Sequence, residues 1–243
     1  MIDKYSEIVP TPFDPSAVVP LRPWLVKDWI LRRQVTLLTG HGYVGKSLVA
    51  LQLCIAVASA DKTWLGMGVE HGRAFALWCE DDADEMHRRI ADVCRAEGVK
   101  IGSLGNFVYS CCTTGGDAFF DLQGATSVWE KLHDRLVQLR PRLIVLDEAD
   151  DLLADDGRVS GRKFLRDLQD LAIKTDAAVV VLAHPARDGR AEWHDSVRVR
   201  LRLSARGSGL VDDRILAREK SNYASEKDAT RALHWEAGRF RTT

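Results

Sequence analysis

Three features of the sequence predict an α/β domain: a mostly parallel central sheet flanked by helices, with antiparallel strands at its C-terminal edge. Short, almost wholly apolar runs recur at residues 35–38, 74–79, 142–147 and 177–183. Runs of that length and composition suit strands buried on both faces. Longer stretches with helical periodicity lie between them, the alternation expected of strands joined by crossover helices. After residue 196 the texture changes. SVRVRLRLS alternates strictly, and RILAREKSNY and RALHWEAGRF follow, a pattern that predicts antiparallel strands added to one edge of the sheet.

The 243 residues suffice for one large domain with a real core. Thirty-four basic and thirty-five acidic side chains nearly cancel, so no global field recruits nucleic acid. No apolar run is long enough to span a membrane, and the first residues (MIDKYSEIVPTPFDP) lack the layout of a signal peptide. The five cysteines, Cys54, Cys79, Cys94, Cys111 and Cys112, include no C-x-x-C pair and suit reduced thiols. The expected location is cytoplasmic.

Residues 1–20 hold four prolines and little periodicity, so they read as an arm or linker preceding one domain over residues 21–243. Residues 21–33 carry Trp24 and Trp29, which could stack on a base but suit packing better. Residues 47–60 are apolar nearly all round, the mark of a helix buried beside a sheet. Residues 83–97 place Met86, Ile90, Val93 and Cys94 on one helical stripe, and 107–110 suit another strand. Residues 111–124 read as a loop, 126–139 as a helix that Pro141 ends, and 158–175 as an amphipathic helix.

The stretch VTLLTGHGYVGKSLVAL, residues 35–51, carries the chemistry. GHGYVGKS fits G-x-x-x-x-G-K-[ST] at Gly40, Gly45, Lys46 and Ser47, between a strand and a helix as that pattern requires. Glycines let backbone N–H groups turn inward around a phosphate chain, and the helix N-terminus adds free N–H groups of its own. The cradle is expected over Gly40, Gly42, Tyr43, Val44, Gly45, Lys46, Ser47 and Leu48, with Lys46 on the β and γ phosphates and Ser47 on Mg²⁺. Such a chain binds a nucleoside triphosphate. Asp147 closes an apolar strand and suits a second Mg²⁺-associated position; Glu148 follows it, and Glu80 closes the strand after the loop's helix. Either glutamate could activate water, since a base needs only to reach it within hydrogen-bond range, and the two stay open at this point. His184 ends the next strand as a polar sensor. No N-K-x-D guanine reader is present.

These pieces, with ALWCEDDADEMHRRI, RLIVLDEADDL, VVVLAHPARDG, WHDSVRVRLRL and REKSNYA, resemble the RepA-like branch of RecA-type ATPases. These are the "AAA family ATPase" proteins of plasmids and phages, which include hexameric replicative helicases. The resemblance implies a RecA-like fold, ATP and Mg²⁺ as cofactors, Glu80 as catalytic glutamate and Asp147 as the Mg²⁺-associated aspartate. It implies His184 as γ-phosphate sensor, Arg198 as an arginine finger reaching a neighbour's ATP, and Lys220 as a second trans-acting cation. It further implies a homo-oligomer, in this branch a hexamer, acting on single-stranded DNA. Two departures stand out. Glu148 replaces a residue more often neutral. PARDGRAE replaces a longer glycine- and serine-rich DNA loop, through loss of that loop or its absence from the chain as given. The basic stretch Arg187, Arg190, Arg198, Arg200, Arg202 and Arg206 suits either phosphates or a subunit interface.

Overall fold

The computed structural model describes residues 11–112, 118–121, 123–153, 161–185, 196–207 and 212–243. The chain enters through a small antiparallel pair, β1 (Trp24–Val26) and β2 (Ile30–Leu31), then β3 (Val35–Thr39) and α1 (Lys46–Ala58). A short hairpin, β4 (Thr63–Trp64) and β5 (Met67–Gly68), leads to β6 (Ala74–Trp78), α2 (Ala83–Glu97) and β7 (Phe107–Cys111). A second hairpin, β8 (Phe120–Asp121) and β9 (Gly124–Ala125), precedes α3 (Ser127–Leu139) and β10 (Leu143–Asp147). The one-turn α4 (Ala149–Leu152), α5 (Gly161–Thr175) and β11 (Ala178–Ala183) follow. Then come β12 (Val199–Ala205), β13 (Asp213–Ser221), β14 (Thr230–Glu236) and β15 (Arg239–Thr242).

Nine of these strands form one sheet, in the order β15-β14-β13-β12-β3-β11-β10-β6-β7. From β12 to β7 all neighbours pair parallel, and β13 to β15 form the antiparallel edge. The fold is the α/β architecture that the alternating texture predicts, with one correction. The strictly alternating run at 199–205 is not antiparallel to the sheet: β12 pairs parallel with β3, Val199 opposite Thr36 and Arg202 opposite Thr39. The alternation has another cause. Val199, Leu201 and Leu203 are buried on one face while Arg202 is exposed on the other, so this strand is covered on one side only.

Side-chain alternation divides the core into two layers. Val145, Val180 and Leu182 pack with α1 and α2, whereas Ile144, Leu146, Val179 and Val181 pack with α3 and α5. The stripe Met86, Ile90, Val93 and Cys94 is the buried face of α2 as its spacing predicts. Asp82 caps this helix by accepting the Glu85 N–H at 2.8 Å, and Gly98 ends it at φ 62. On the opposite layer Phe120 lies 4.8 Å from Trp129 and 5.0 Å from Phe164, edge to face with the latter. Within the expected loop over 111–124, the described residues 118–121 are more than a loop, because Phe120 lies in β8 and is buried in the core.

Trp29 is 2% exposed, with the Arg218 and Arg231 guanidinium groups 5.6 and 5.4 Å from its ring. Packing, not base stacking, occupies it. All five cysteines are free thiols. Among the described residues no helix is long and apolar enough to cross a membrane. Residues 1–10 of the expected arm, the helix start at 158, and Arg187 and Arg190 of the basic stretch lie outside the described residues.

Replacing Phe164, fully buried at the aromatic cluster, by Ala should cost about 3–5 kcal/mol of stability. Urea unfolding followed by tryptophan fluorescence measures this, and a loss below about 1 kcal/mol would contradict a close-packed second layer.

Candidate functional site

The sheet register brings the site together. In the order β3-β11-β10-β6, four parallel strands end at one level: Ala183 lies opposite Thr39, and Asp147 opposite Trp78. Their next residues are Gly40, His184, Glu148 and Cys79–Glu80. With neighbouring strands about 4.8 Å apart, these residues line one edge about 14 Å long.

The loop takes the conformation its glycines permit. Gly45 has φ +99 and ends the loop in the left-handed region, directly before α1. Tyr43, also left-handed at φ 62, points fully outward, so its bulk does not crowd the cradle. Val44 is buried, Ser47 and Leu48 are half-buried in the first turn of α1, and Gly42 is exposed, 3.8 Å from the His184 ring as measured from an added Cβ. A Cβ on Gly40 would lie 2.7 Å from the Leu203 carbonyl oxygen, so only glycine fits where β12 crosses the loop.

Lys46 is buried at 6% exposure. Its Nζ donates to the Gly40 carbonyl at 3.1 Å and lies 3.5 Å from Glu148 Oε2. Glu148, equally buried, meets His184 Nε2 through Oε1 at 2.9 Å. Lys46, Glu148 and His184 thus form one chain across the ends of β3, β10 and β11. Burial pushes the Glu148 carboxyl above the ordinary range, against the pull of Lys46 and His184, with Glu80 and Asp150 pushing the same way as burial. Asp147 is raised to about 7. Burial is the main cause, opposed by the Ser47 hydroxyl bonded to it and reinforced by Glu148 and Glu80. Its Oδ1 is buried without a hydrogen-bond partner.

An orphaned carboxylate oxygen beside a serine hydroxyl is a hard-oxygen donor set that fits Mg²⁺. Glu80 is exposed at the far end of this edge, near enough for its charge to act on both Asp147 and Glu148. Neighbouring Asp81 is held by Arg89 at 2.6 Å. Cys79, between Trp78 and Glu80, is pushed up to about 12 by burial and by Asp151, an inert thiol.

Two sequence-derived candidates lie elsewhere. Arg198 is exposed beside the start of β3, since the next residue, Val199, pairs with Thr36. It lines a cavity of about 470 Å³ with Arg162, Arg166 and Tyr223. Lys220 pairs in register with Arg200 on the same half of the sheet. Arg200 and Arg202 both meet Glu219, at 3.1 and 3.3 Å, which offsets part of the basic stretch. Of the segment PARDGRAE, residues 185–192, all but Pro185 lie outside the described residues. What the motif pattern missed is the backing of the loop: Arg214 and Phe240 touch it from β13 and β15, and Gln52 on α1 holds the Phe240 backbone. None belongs to a phosphate-loop signature, and only the sheet topology reveals them.

A family model described as AAA domain matches residues 7–190. No curated protein matches the chain.

The raised Asp147 sets a stability slope. Its folded carboxyl holds a proton that the unfolded one, near 3.9, releases, so folding stability falls as pH rises from about 4 to 7. Asp147→Asn should flatten that fall and leave the nucleotide-free protein about 1–3 kcal/mol more stable than wild type at pH 8. Urea titrations at pH 5 and pH 8 check it; equal slopes in both proteins would contradict the raised carboxyl.

Proposed function

Given that the chain belongs to the AAA domain family, matched over residues 7–190, and is therefore a nucleotide-binding ATPase, we propose that it is a Mg²⁺-dependent ATP hydrolase acting as a RepA-like ring motor on single-stranded DNA. The observation that carries the reading is the chain Lys46–Glu148–His184, which links the phosphate loop to the strand that leads toward the short 185–192 segment.

In this reading the loop N–H groups and Lys46 bind the phosphates, and Ser47 with Asp147 holds Mg²⁺, which neutralises charge on the phosphate oxygens. Lys46 reaches those oxygens by giving up the Gly40 carbonyl and Glu148. Both Glu148 oxygens face partners already, Lys46 on one and His184 on the other, so Glu148 suits a relay. Glu80, exposed at the strand end, is left to take the proton of the attacking water. His184 then senses whether Glu148 is tied to Lys46 and passes that state along the chain.

Arg198 cannot serve its own loop. It stands at the opposite end of β3, about 13 Å of strand away, on the side where a neighbouring copy would bring its nucleotide. A finger in trans makes hydrolysis depend on assembly, because the developing γ-phosphate charge is stabilised only when the next subunit docks. Lys220 would approach from the same side. A hexameric ring in the cytoplasm, preceded by an arm over residues 1–20, is the assembly proposed. A second reading is an ATP-switched assembly factor without unwinding; the short 185–192 segment favours it, since a DNA-gripping loop needs length.

The two readings separate in a steady-state ATPase assay with and without single-stranded DNA. A motor shows stimulation that fades with salt; an assembly switch is indifferent to DNA yet rises steeply with protein concentration. Lys46→Ala should lower turnover at least about 100-fold with helix content unchanged, and near-normal turnover would overturn the ATPase site.

Arg198→Ala should lower turnover by about 10³-fold with nucleotide binding near wild type. Mixing it with Glu80→Gln subunits should restore part of that activity at mixed interfaces. No recovery, in assemblies shown to be mixed, would rule out action in trans. Glu80→Gln should abolish turnover, while Glu148→Gln should keep ATP binding and basal turnover but lose any DNA stimulation; the reverse pattern would make Glu148 the base.

A further inference from the structure

Behind the phosphate loop stands a group of side chains to which neither the motif nor the proposed mechanism assigns a role. Phe240 on β15 is 3% exposed, and its ring covers the loop: a Cβ on Gly45 would lie 2.6 Å from it. One side chain holds the Phe240 backbone from both sides. Gln52 donates from Nε2 to the Phe240 carbonyl and accepts the Phe240 N–H on Oε1, each at 2.8 Å. Gln52 is itself 4% exposed and belongs to α1, the helix that begins at Lys46. Arg214 on β13 donates from Nε to the Val44 carbonyl at 3.0 Å, and its guanidinium lies 6.0 Å from the Phe240 ring.

These contacts converge on one peptide unit, Val44–Gly45. In a planar trans peptide the carbonyl and the N–H point in opposite directions. Drawing the Val44 carbonyl outward to Arg214 therefore turns the Gly45 N–H the other way, toward the inside of the loop. The Phe240 ring blocks the space into which the glycine would otherwise relax, and Gln52 ties that ring to the helix. Left alone, a glycine with φ +99 has many other conformations open to it. Two strands distant in sequence, β13 and β15, hold it in this one, with Gln52 of the adjoining helix tying the second in place.

We propose that Arg214, backed by Phe240 and Gln52, is a positioning group for nucleotide binding: it presets the Gly45 N–H to meet a phosphate oxygen, so the C-terminal strands complete the phosphate loop. This rests on the ATP-binding reading above. A preset donor acts on the ground state and the transition state alike, so its loss appears in affinity more than in turnover. The cationic guanidinium also polarises the peptide it grips, which strengthens the N–H as a donor.

The test is a titration of wild type, Arg214→Ala and Arg214→Lys with a fluorescent ATP analogue and Mg²⁺, alongside thermal unfolding and steady-state kinetics. Arg214→Ala should weaken binding about tenfold and raise KM in step. Turnover at saturating ATP should fall far less, and the unfolding midpoint should stay within a few degrees. Arg214→Lys, which keeps a donor for the carbonyl, should recover part of the affinity. Equal affinity in wild type and Arg214→Ala would overturn the positioning role alone; so would a loss that merely tracks a lowered midpoint with no recovery in Arg214→Lys. Wild-type protein that binds no MgATP would overturn the ATP reading itself. Hydrogen exchange on the wild type adds a measurement free of any variant: nucleotide should slow the Phe240 amide, and unchanged exchange there would overturn the clamp.

Discussion

The constraint on which the rest of the structure depends is the common level at which β3, β11, β10 and β6 end. Parallel ladders fix it: once Val179 pairs with Val35 and Leu143 with both Ala178 and Ala74, the carboxyl ends of four strands can only line up. Every functional candidate on that edge is the residue at or just beyond a strand end. A slip of one residue in any pairing would turn its apolar faces inside out, exchanging the layer that meets α1 for the layer that meets α5. The core therefore enforces the register, and the register places the site. Chemistry at this edge needs no interaction of its own to bring Gly40, His184, Asp147 and Glu80 together.

What the edge does add is tension between charge and burial. Asp147, Glu148 and Lys46 are among the few charged side chains buried in the described residues. Two carboxylates and one ammonium leave a site short of positive charge, which is why burial raises both acids rather than leaving them fully ionised. An apolar trio would stabilise the fold better. Retention of such a group in the core is what a site built for a divalent cation and a phosphate chain would show. The cation would take up the orphaned Asp147 oxygen, and the phosphates would take up Lys46.

Much of this was legible in the sequence, and the reason is periodicity. Runs such as AFALWC and LIVLD are readable because a strand buried on both faces tolerates little else. The stripe on α2 emerged with its exact burial for the same reason. Asp147 and Gly45 were legible because local chemistry dictates them. Pairing partners were not. Strict alternation in VRLRLS reports one covered face and one open face, and that is equally true of an antiparallel edge and of a parallel strand beside β3. Gln52, Arg214 and Phe240 were invisible for a related reason: the contacts Arg214–Val44 and Gln52–Phe240 span 170 and 188 residues and arise only when the C-terminal strands fold back.

The misread strand changes how the chain's ends relate to its chemistry. Were 199–205 a true edge, Arg198 would sit on a solvated rim and the strands after it would be an appendage. As an interior strand, β12 does two things at once. Its far end brings the Leu203 carbonyl against Gly40 and carries the platform that grips the Val44–Gly45 peptide. Its near end holds Arg198 beside the start of β3, at the opposite end of the strands and beyond reach of that same loop. A single rigid strand, hydrogen-bonded on both sides, thus spans from the loop's own backing to the arginine proposed for a neighbour's loop. The β3 ladder runs unbroken from Val199 to Arg202, so displacement at one end of β12 passes along it, while the β13 ladder shifts register between Arg200 and Leu201. In the proposed ring, docking at Arg198 and the set of the phosphate loop would therefore be mechanically linked through β12, with no need for a flexible relay between adjacent sites.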